Sequence, residues 1–361
     1  MTAEFRRAAH LHELAAGRLA AGRPGDALPA CAEAIELLRA DGGACSAEMA
    51  RWLGTLGAIR EQLGDYAGAL DAFTGSAEVV RQIEFEDTFV ELQLHTMAAL
   101  ARLHRIRGEY DASEHEYLAA IAVAKSAFDD DDSKFAELLH GLAVTHRYAG
   151  RIGEADAGGR RALHAYELAR DQDPPGIAGV CEELGEIARA RGQFGEAEAY
   201  LRRARDIRLD TGGPDTEQFV QDTALLAAVL HGQGRFTEAE EFYREAVAGY
   251  ERLHGPEHYE VSVNLNNLAA LQASRGQFEA AEQTYRRALE IKENSFGPEH
   301  PEVALTVHNL GVLQIQRGNT AGALSHLQRA LTIFDAELGY DHPRTMACRR
   351  VHDSLLDEAL V

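Results

Sequence analysis

"NLNNLAALQASRGQFEAAEQTYRRALEI", residues 264–291, spreads its apolar residues over two stretches divided by one glycine. Leu268 stands eight residues before Gly276 and is followed by Ala269, while Phe278, Ala281 and Ala288 stand two, five and twelve residues after it. Ala281, Tyr285, Ala288, Leu289 and Ile291 fall three to four residues apart with Glu and Arg on the opposite face, which predicts an amphipathic helix. The stretch reads as helix, glycine turn, helix.

The same pattern recurs along the whole chain. Gly22, Gly64, Gly108, Gly150, Gly192, Gly234, Gly276 and Gly318 are spaced by 42 residues, with one step of 44 between Gly64 and Gly108, around "IEFEDTFV". Eight before each glycine stands Leu14, Leu56, Leu100, Leu142, Leu184, Leu226, Leu268 or Leu310, followed always by Ala or Gly. Five after it stands Ala27, Ala69, Ser113, Ala155, Ala197, Ala239, Ala281 or Ala323, and twelve after it Ala34, Ser76, Ala120, Ala162, Ala204, Ala246, Ala288 or Ala330. Small side chains at fixed places let two helices approach closely, with the leucine filling the space between them. Eight tandem units over residues 1–342 are expected, and the stretch 343–361, where His352 replaces the leucine, reads as a more polar C-terminal capping helix. No segment alternates with period two, so an all-α chain without a sheet is expected.

Between units the sequence repeats "HGPEHYEV" at 254–261 and "FGPEHPEV" at 296–303. Gly255, Gly297 and Gly339 fall where a helix would end in a left-handed residue, Pro256 and Pro298 block its continuation, and Pro301 and Pro343 fall where the next helix begins. Equivalent connectors at 172–177 and 212–217 lack the histidine, so His258, His300 and His342 are read as parts of a joint and not of a chemical site.

Bulk composition narrows the function classes. The 361 residues are 45% apolar, enough for a core, with no run long enough to span a membrane and no secretory leader pattern. Cys31, Cys45, Cys181 and Cys348 show no paired spacing, as suits a reducing cytoplasm. A net charge of −22 opposes nucleic acid and anionic membrane as partners.

These residues resemble the tetratricopeptide repeat, and the 42-residue period, the G-x-x-H-P connector and residues 264–291 resemble more specifically the repeats of kinesin light chains and their bacterial relatives. The long N-terminal heptad region of true kinesin light chains is missing, so heavy-chain binding is not carried over. The resemblance implies a right-handed superhelical solenoid whose first helices line a concave groove, with lining positions thirteen, ten, nine, six and three residues before the turn glycine. Those columns hold His95, Arg102, Arg105, Glu137, His140, Arg147, Glu182, Glu183, Glu186, Arg189 and His231 in units three to six, and Asn266, Asn267, His308 and Asn309 in units seven and eight. Unit one offers little beyond His12 and Glu13.

Arg105, Arg147, Arg189 and His231 share one column and would form a ladder of donors for carboxylate or phosphate, unless Glu137, Glu182, Glu183 and Glu186 neutralise it from within. A carboxamide donates and accepts at once, so Asn267 and Asn309 suit an extended peptide backbone, as the resemblance also implies; alternatively Asn266 and Asn309 bond neighbouring helices. The expected partner is a protein or peptide segment, acidic in character. The alternatives are a regulatory sensor of a signalling peptide or small metabolite, acting through a partner protein, and an enzyme using the polar cluster of His95, His140, Glu182 and Arg147. None of the sixteen histidines has ligand spacing; His104 and His146 share a column but no motif, and the acidic run 129–132 lacks the spaced ligands of a calcium loop. No catalytic residue, metal or cofactor is expected.

Overall fold

The computed structural model describes residues 2–43, 46–83, 89–127, 133–170 and 173–359. Cys45, the acidic run 129–132 and residues 84–88 of the longer step lie outside the described residues. Seventeen helices and no strand are present among the described residues.

Contacts divide the chain into two compact units, residues 1–187 and 188–361, with the boundary inside one helix. The first unit holds α1 (Ala3–Ala20), α2 (Pro24–Ala40), α3 (Ala47–Gln62), α4 (Tyr66–Gln82), α5 (Val90–Ile106), α6 (Tyr110–Ala127), α7 (Ser133–Tyr148), α8 (Ile152–Leu168) and most of α9 (Pro174–Ala190). The second holds the end of α9, α10 (Phe194–Gly212), α11 (Glu217–Gly232), α12 (Phe236–His254), α13 (Tyr259–Ser274), α14 (Phe278–Phe296), α15 (Pro301–Gln316), α16 (Thr320–Glu337) and α17 (Pro343–Ala359).

Each hairpin turns on its glycine in the same way. All eight turn glycines have φ between 69° and 77°. The glycine N–H returns to the carbonyl three residues back and the next N–H to the carbonyl five before it, as in Gly108 to Arg105 (3.0 Å) and Glu109 to His104 (2.8 Å). This double closure satisfies carbonyls that a helix end would leave open, and a left-handed residue is required for it.

The small-residue columns set how the second helix of each hairpin packs. All sixteen positions five and twelve residues after a glycine are fully buried. The two serines among them keep their hydroxyls bonded: Ser76 donates to the Ala50 carbonyl at 2.8 Å, and Ser113 bonds the Thr145 hydroxyl at 2.9 Å. Seven of the eight column leucines are at most 8% exposed, whereas Leu14 is 40% exposed. In the second unit α17 packs Cys348 and Leu355 against Leu331 and Phe334 of α16.

The connectors are joints with a defined chemistry. Gly255, Gly297 and Gly339 have φ of 90°, 85° and 87°. His258, His300 and His342 each accept a backbone N–H at Nδ1, from Glu260 (3.3 Å), Glu302 (3.2 Å) and Arg344 (3.2 Å). They cap helix N-termini, a task Thr216 performs with its hydroxyl for α11. Replacing His300 by alanine should cost about 1 kcal/mol in urea denaturation while His300→Thr costs little, the scale of a lost N-cap; equal loss in both would mean the ring itself has another role.

Candidate functional site

Within each unit the first helices of successive hairpins pack side by side, α1, α3, α5 and α7 in one and α11, α13 and α15 in the other, so each unit presents a face built only from first helices. The positions singled out in the sequence lie on first helices, from α5 to α15. Burial and pairing then separate them.

On the first unit, Arg102 of α5 makes two 2.7 Å bonds to Glu61 of α3, and this carboxylate pushes the guanidinium pKa up. Glu61 stands in the ladder's own column, one hairpin earlier; its position gave the signal and its pairing with a different column hid it. Arg102 also lines, with His95, Glu137 and Lys134, a cavity of about 290 Å³ between α5 and α7. Arg147 donates from Nε to Glu183 at 2.6 Å and from Nη1 to Glu186 at 3.4 Å, so its charge is met from within. Glu183 is 6% exposed, and burial raises its pKa against the pull of Arg147. Half-buried Glu182 shares α9 with these two carboxylates and is engaged as well.

Arg105 differs from both neighbours. It forms no ion pair with any described residue, and its Nε is buried without a hydrogen-bond partner. Its guanidinium lies 5.2 Å from the centroid of the Tyr148 ring, which Arg147 also covers at 4.6 Å. Tyr148 lies outside the five lining columns, so nothing in the repeat register pointed to it. His140 is packed against Gly179 of α9, where an added Cβ would stand 3.2 Å from the ring. Burial, then the charge of Arg105, push the His140 pKa down to about 4, so its ring is neutral at pH 7. In hairpins one and two His12 bonds the Thr55 hydroxyl at 3.0 Å and stacks on Trp52.

The second unit's face carries little net charge. Arg189 stands exposed in the last turn of α9, with a partner of its own. Burial lowers the pKa values of His231 and His308, and His308 keeps a buried Nδ1 without a partner. His231 also meets the Phe236 ring edge-on at 5.8 Å. Asn309 donates to the Asn266 carboxamide oxygen at 3.1 Å, tying α15 to α13, whereas Asn267 bonds no described residue.

One group of possible metal ligands occurs among the described residues: atoms of Glu114, His146 and Glu154 lie within 4.8 Å of one another. The guanidinium of Arg151 already bonds Glu114 at 2.8 Å. The same clasp, a glutamate six residues after one turn glycine and an arginine beside the next, recurs without histidine as Glu198–Arg235 (2.7 Å), Glu240–Arg275 and Glu282–Arg317. The group is therefore explained as an inter-hairpin bond. His104 and His146 are held by different carboxylates, Glu109 at 2.6 Å and Glu114 at 3.1 Å.

His140 sets a pH response. Its native pKa lies below the ordinary value of 6.5, so between about 6.5 and about 4 the unfolded chain binds the extra proton and stability falls as pH falls. His140→Gln should remove up to roughly 3 kcal/mol of that loss, measured as urea stability at pH 7 and pH 4; an unchanged pH slope would show that the ring is not held neutral.

Comparison with known proteins agrees with this architecture. A family model described as Tetratricopeptide repeat matches residues 220–294 and 276–336, and a second with the same description matches residues 93–133 and 177–215. No curated protein matches the chain significantly. Among solved structures, BtubC (BKLC) from P. vanneervenii is 25% identical with a TM-score of 0.52, over 69% of this chain and 94% of that one. A putative kinesin light chain from Podosopora anserina, with nearly identical TPR-like repeats, is 19% identical with a TM-score of 0.50, over 59% of this chain and 99% of that one. A Rap protein complexed with competence and sporulation factor is 12% identical with a TM-score of 0.57, over 98% of both chains.

Proposed function

The chain belongs to the tetratricopeptide repeat family, and from that premise we propose that it is a non-enzymatic scaffold whose first-helix faces hold a protein or peptide segment. The first unit's face takes an acidic group at Arg105, and the second unit's face takes an uncharged stretch of backbone at Asn267 and His308. The observation that carries this reading is the contrast among Arg102, Arg105 and Arg147 of the first unit. Arg102 and Arg147 are neutralised by glutamates, while Arg105 holds a buried donor with no acceptor. An unmet donor on a charged group costs more than an ordinary unmade bond, and an incoming carboxylate or phosphate removes that cost.

Several features favour binding over chemistry. Arg147 is already engaged, His140 is neutral and half-buried, and the cavity beside His95 is lined by no serine, threonine or cysteine. A second reading, a regulatory sensor that acts through another protein, draws support from the similar Rap protein complexed with competence and sporulation factor. It differs in output, since a sensor's shape responds to its ligand and a scaffold's does not.

Arrays of extended peptides carrying Glu, phosphoserine or Gln at one position provide the test. The wild-type chain should retain acidic members over their Gln counterparts. Arg105→Gln should weaken that retention by about 1–3 kcal/mol, the worth of a charge-assisted bond, and Asn267→Ala should weaken acidic and neutral members alike. Binding indifferent to peptide charge would remove Arg105 from the site.

A further inference from the structure

A second place in the first unit departs from the repeat, away from the first-helix face. Thirteen residues after the turn glycine the chain carries Ile35, Ile121, Leu163, Arg205, Val247, Leu289 and Leu331, but Ala77 in the second hairpin. Fifteen residues before the glycine it carries Met49, Phe135, Ile177, Phe219, Val261 and Val303 from the second to the eighth hairpin, but Gln93 in the third. Both departures meet at one junction, where α4 packs against α5. The side-chain volume missing there leaves a crevice of about 210 Å³ walled by Ala77, Val80, Met97 and Leu100. A smaller pocket of about 100 Å³ adjoins it, sharing Val80, Arg81 and Gln93.

Of the polar groups at this crevice, Thr96 donates to the Leu92 carbonyl at 2.8 Å and His104 bonds Glu109 at 2.6 Å, whereas Gln93 and Arg81 are not engaged by the described residues. The Gln93 carboxamide makes no hydrogen bond to any described residue, and Arg81 forms no ion pair with one. Arg81 lines both pockets, whereas Glu116 lines the larger one only, so the arginine stands where the two meet. An apolar cavity of roughly 150 Å³ accommodates benzene, so the larger pocket has room for a ring or a branched chain of similar size. An apolar body there replaces the contacts that isoleucine, leucine or valine supplies at most of the other junctions.

We propose that the α4–α5 crevice is a binding site for a small molecule with an apolar body and a single carboxylate, the body against Ala77, Val80, Met97 and Leu100 and the carboxylate on Arg81 and the Gln93 amide. This site is separate from the first-helix face, and its failure leaves the scaffold reading untouched.

The probe is 4-fluorophenylacetate, titrated into the full chain and followed by ¹⁹F NMR. Saturable binding with a dissociation constant on the order of 1 mM is expected for a ligand of this size. The matching amide and 4-fluorophenethylamine should bind about tenfold more weakly, as should the carboxylate to Arg81→Gln. Ala77→Ile supplies the isoleucine of the first and third hairpins and should abolish binding with an unchanged or higher Tm; Met97→Phe, which fills the crevice from α5, should do the same should the first variant fold poorly. Absence of saturation, equal binding of the amine or amide, or unchanged affinity in the filled variants would overturn the assignment.

Discussion

One left-handed glycine per hairpin is the constraint on which the rest of each unit depends. With φ near 70° it closes two backbone bonds at once and fixes the angle at which the second helix leaves the first. A side chain there would carry backbone strain of roughly 1–2 kcal/mol. Once that angle is set, only small residues fit five and twelve positions later, and all sixteen are buried completely. The geometry of one turn thereby dictates the composition of two distant columns. It also places equivalent residues of successive hairpins on one face, which is why a mutation at the turn would displace side chains two helices away.

A column fixed in this way also organises charge. The position six after the glycine is Leu28, Leu70 and Leu324 in hairpins one, two and eight, and acidic in every hairpin between. Four of those acids, Glu114, Glu198, Glu240 and Glu282, meet an arginine beside the following glycine. Each pair is partly exposed and worth little alone, about 0–1 kcal/mol, but it ties a turn to its neighbour at the same place each time. Such pairing occupies arginines in a chain with 58 carboxylates. Arg105 stands outside this pairing, with its Nε buried and without an acceptor.

Much of this was legible in the sequence because repeats make alignment internal. The turns, the small columns and the joint nature of the connectors follow from spacing alone, and the structure adds that the connector histidines are N-caps. The lining columns were legible as positions but not as interactions. Arg102 reaches back to Glu61 across columns, Arg105 and Arg147 share a tyrosine that belongs to no lining column, and Asn309 gives its amide to Asn266. Which partner a long side chain takes depends on its rotamer and on the burial around it, and periodicity carries neither. The division into two compact units was equally hidden, since the 42-residue period runs through the boundary without change.

Departures from a column divide into those the protein answers and those it leaves open. Ser76 and Ser113, standing among alanines, bond a carbonyl and a threonine. Lys292 stands sixteen after its glycine, where Leu38, Tyr166, Tyr250 and Phe334 are buried elsewhere; it is 1% exposed, burial lowers its pKa, and its ammonium rests 3.4 Å from the Glu302 carboxylate and 3.3 Å from the Glu302 carbonyl. Each of these exceptions is satisfied from within, as the cost of burying an unmet polar group requires. Arg105, Gln93 and Ala77 are not: among the described residues one holds an unmet donor, one an amide without a partner and one an unfilled volume. Left open, these three carry a cost in stability that a bound group would offset.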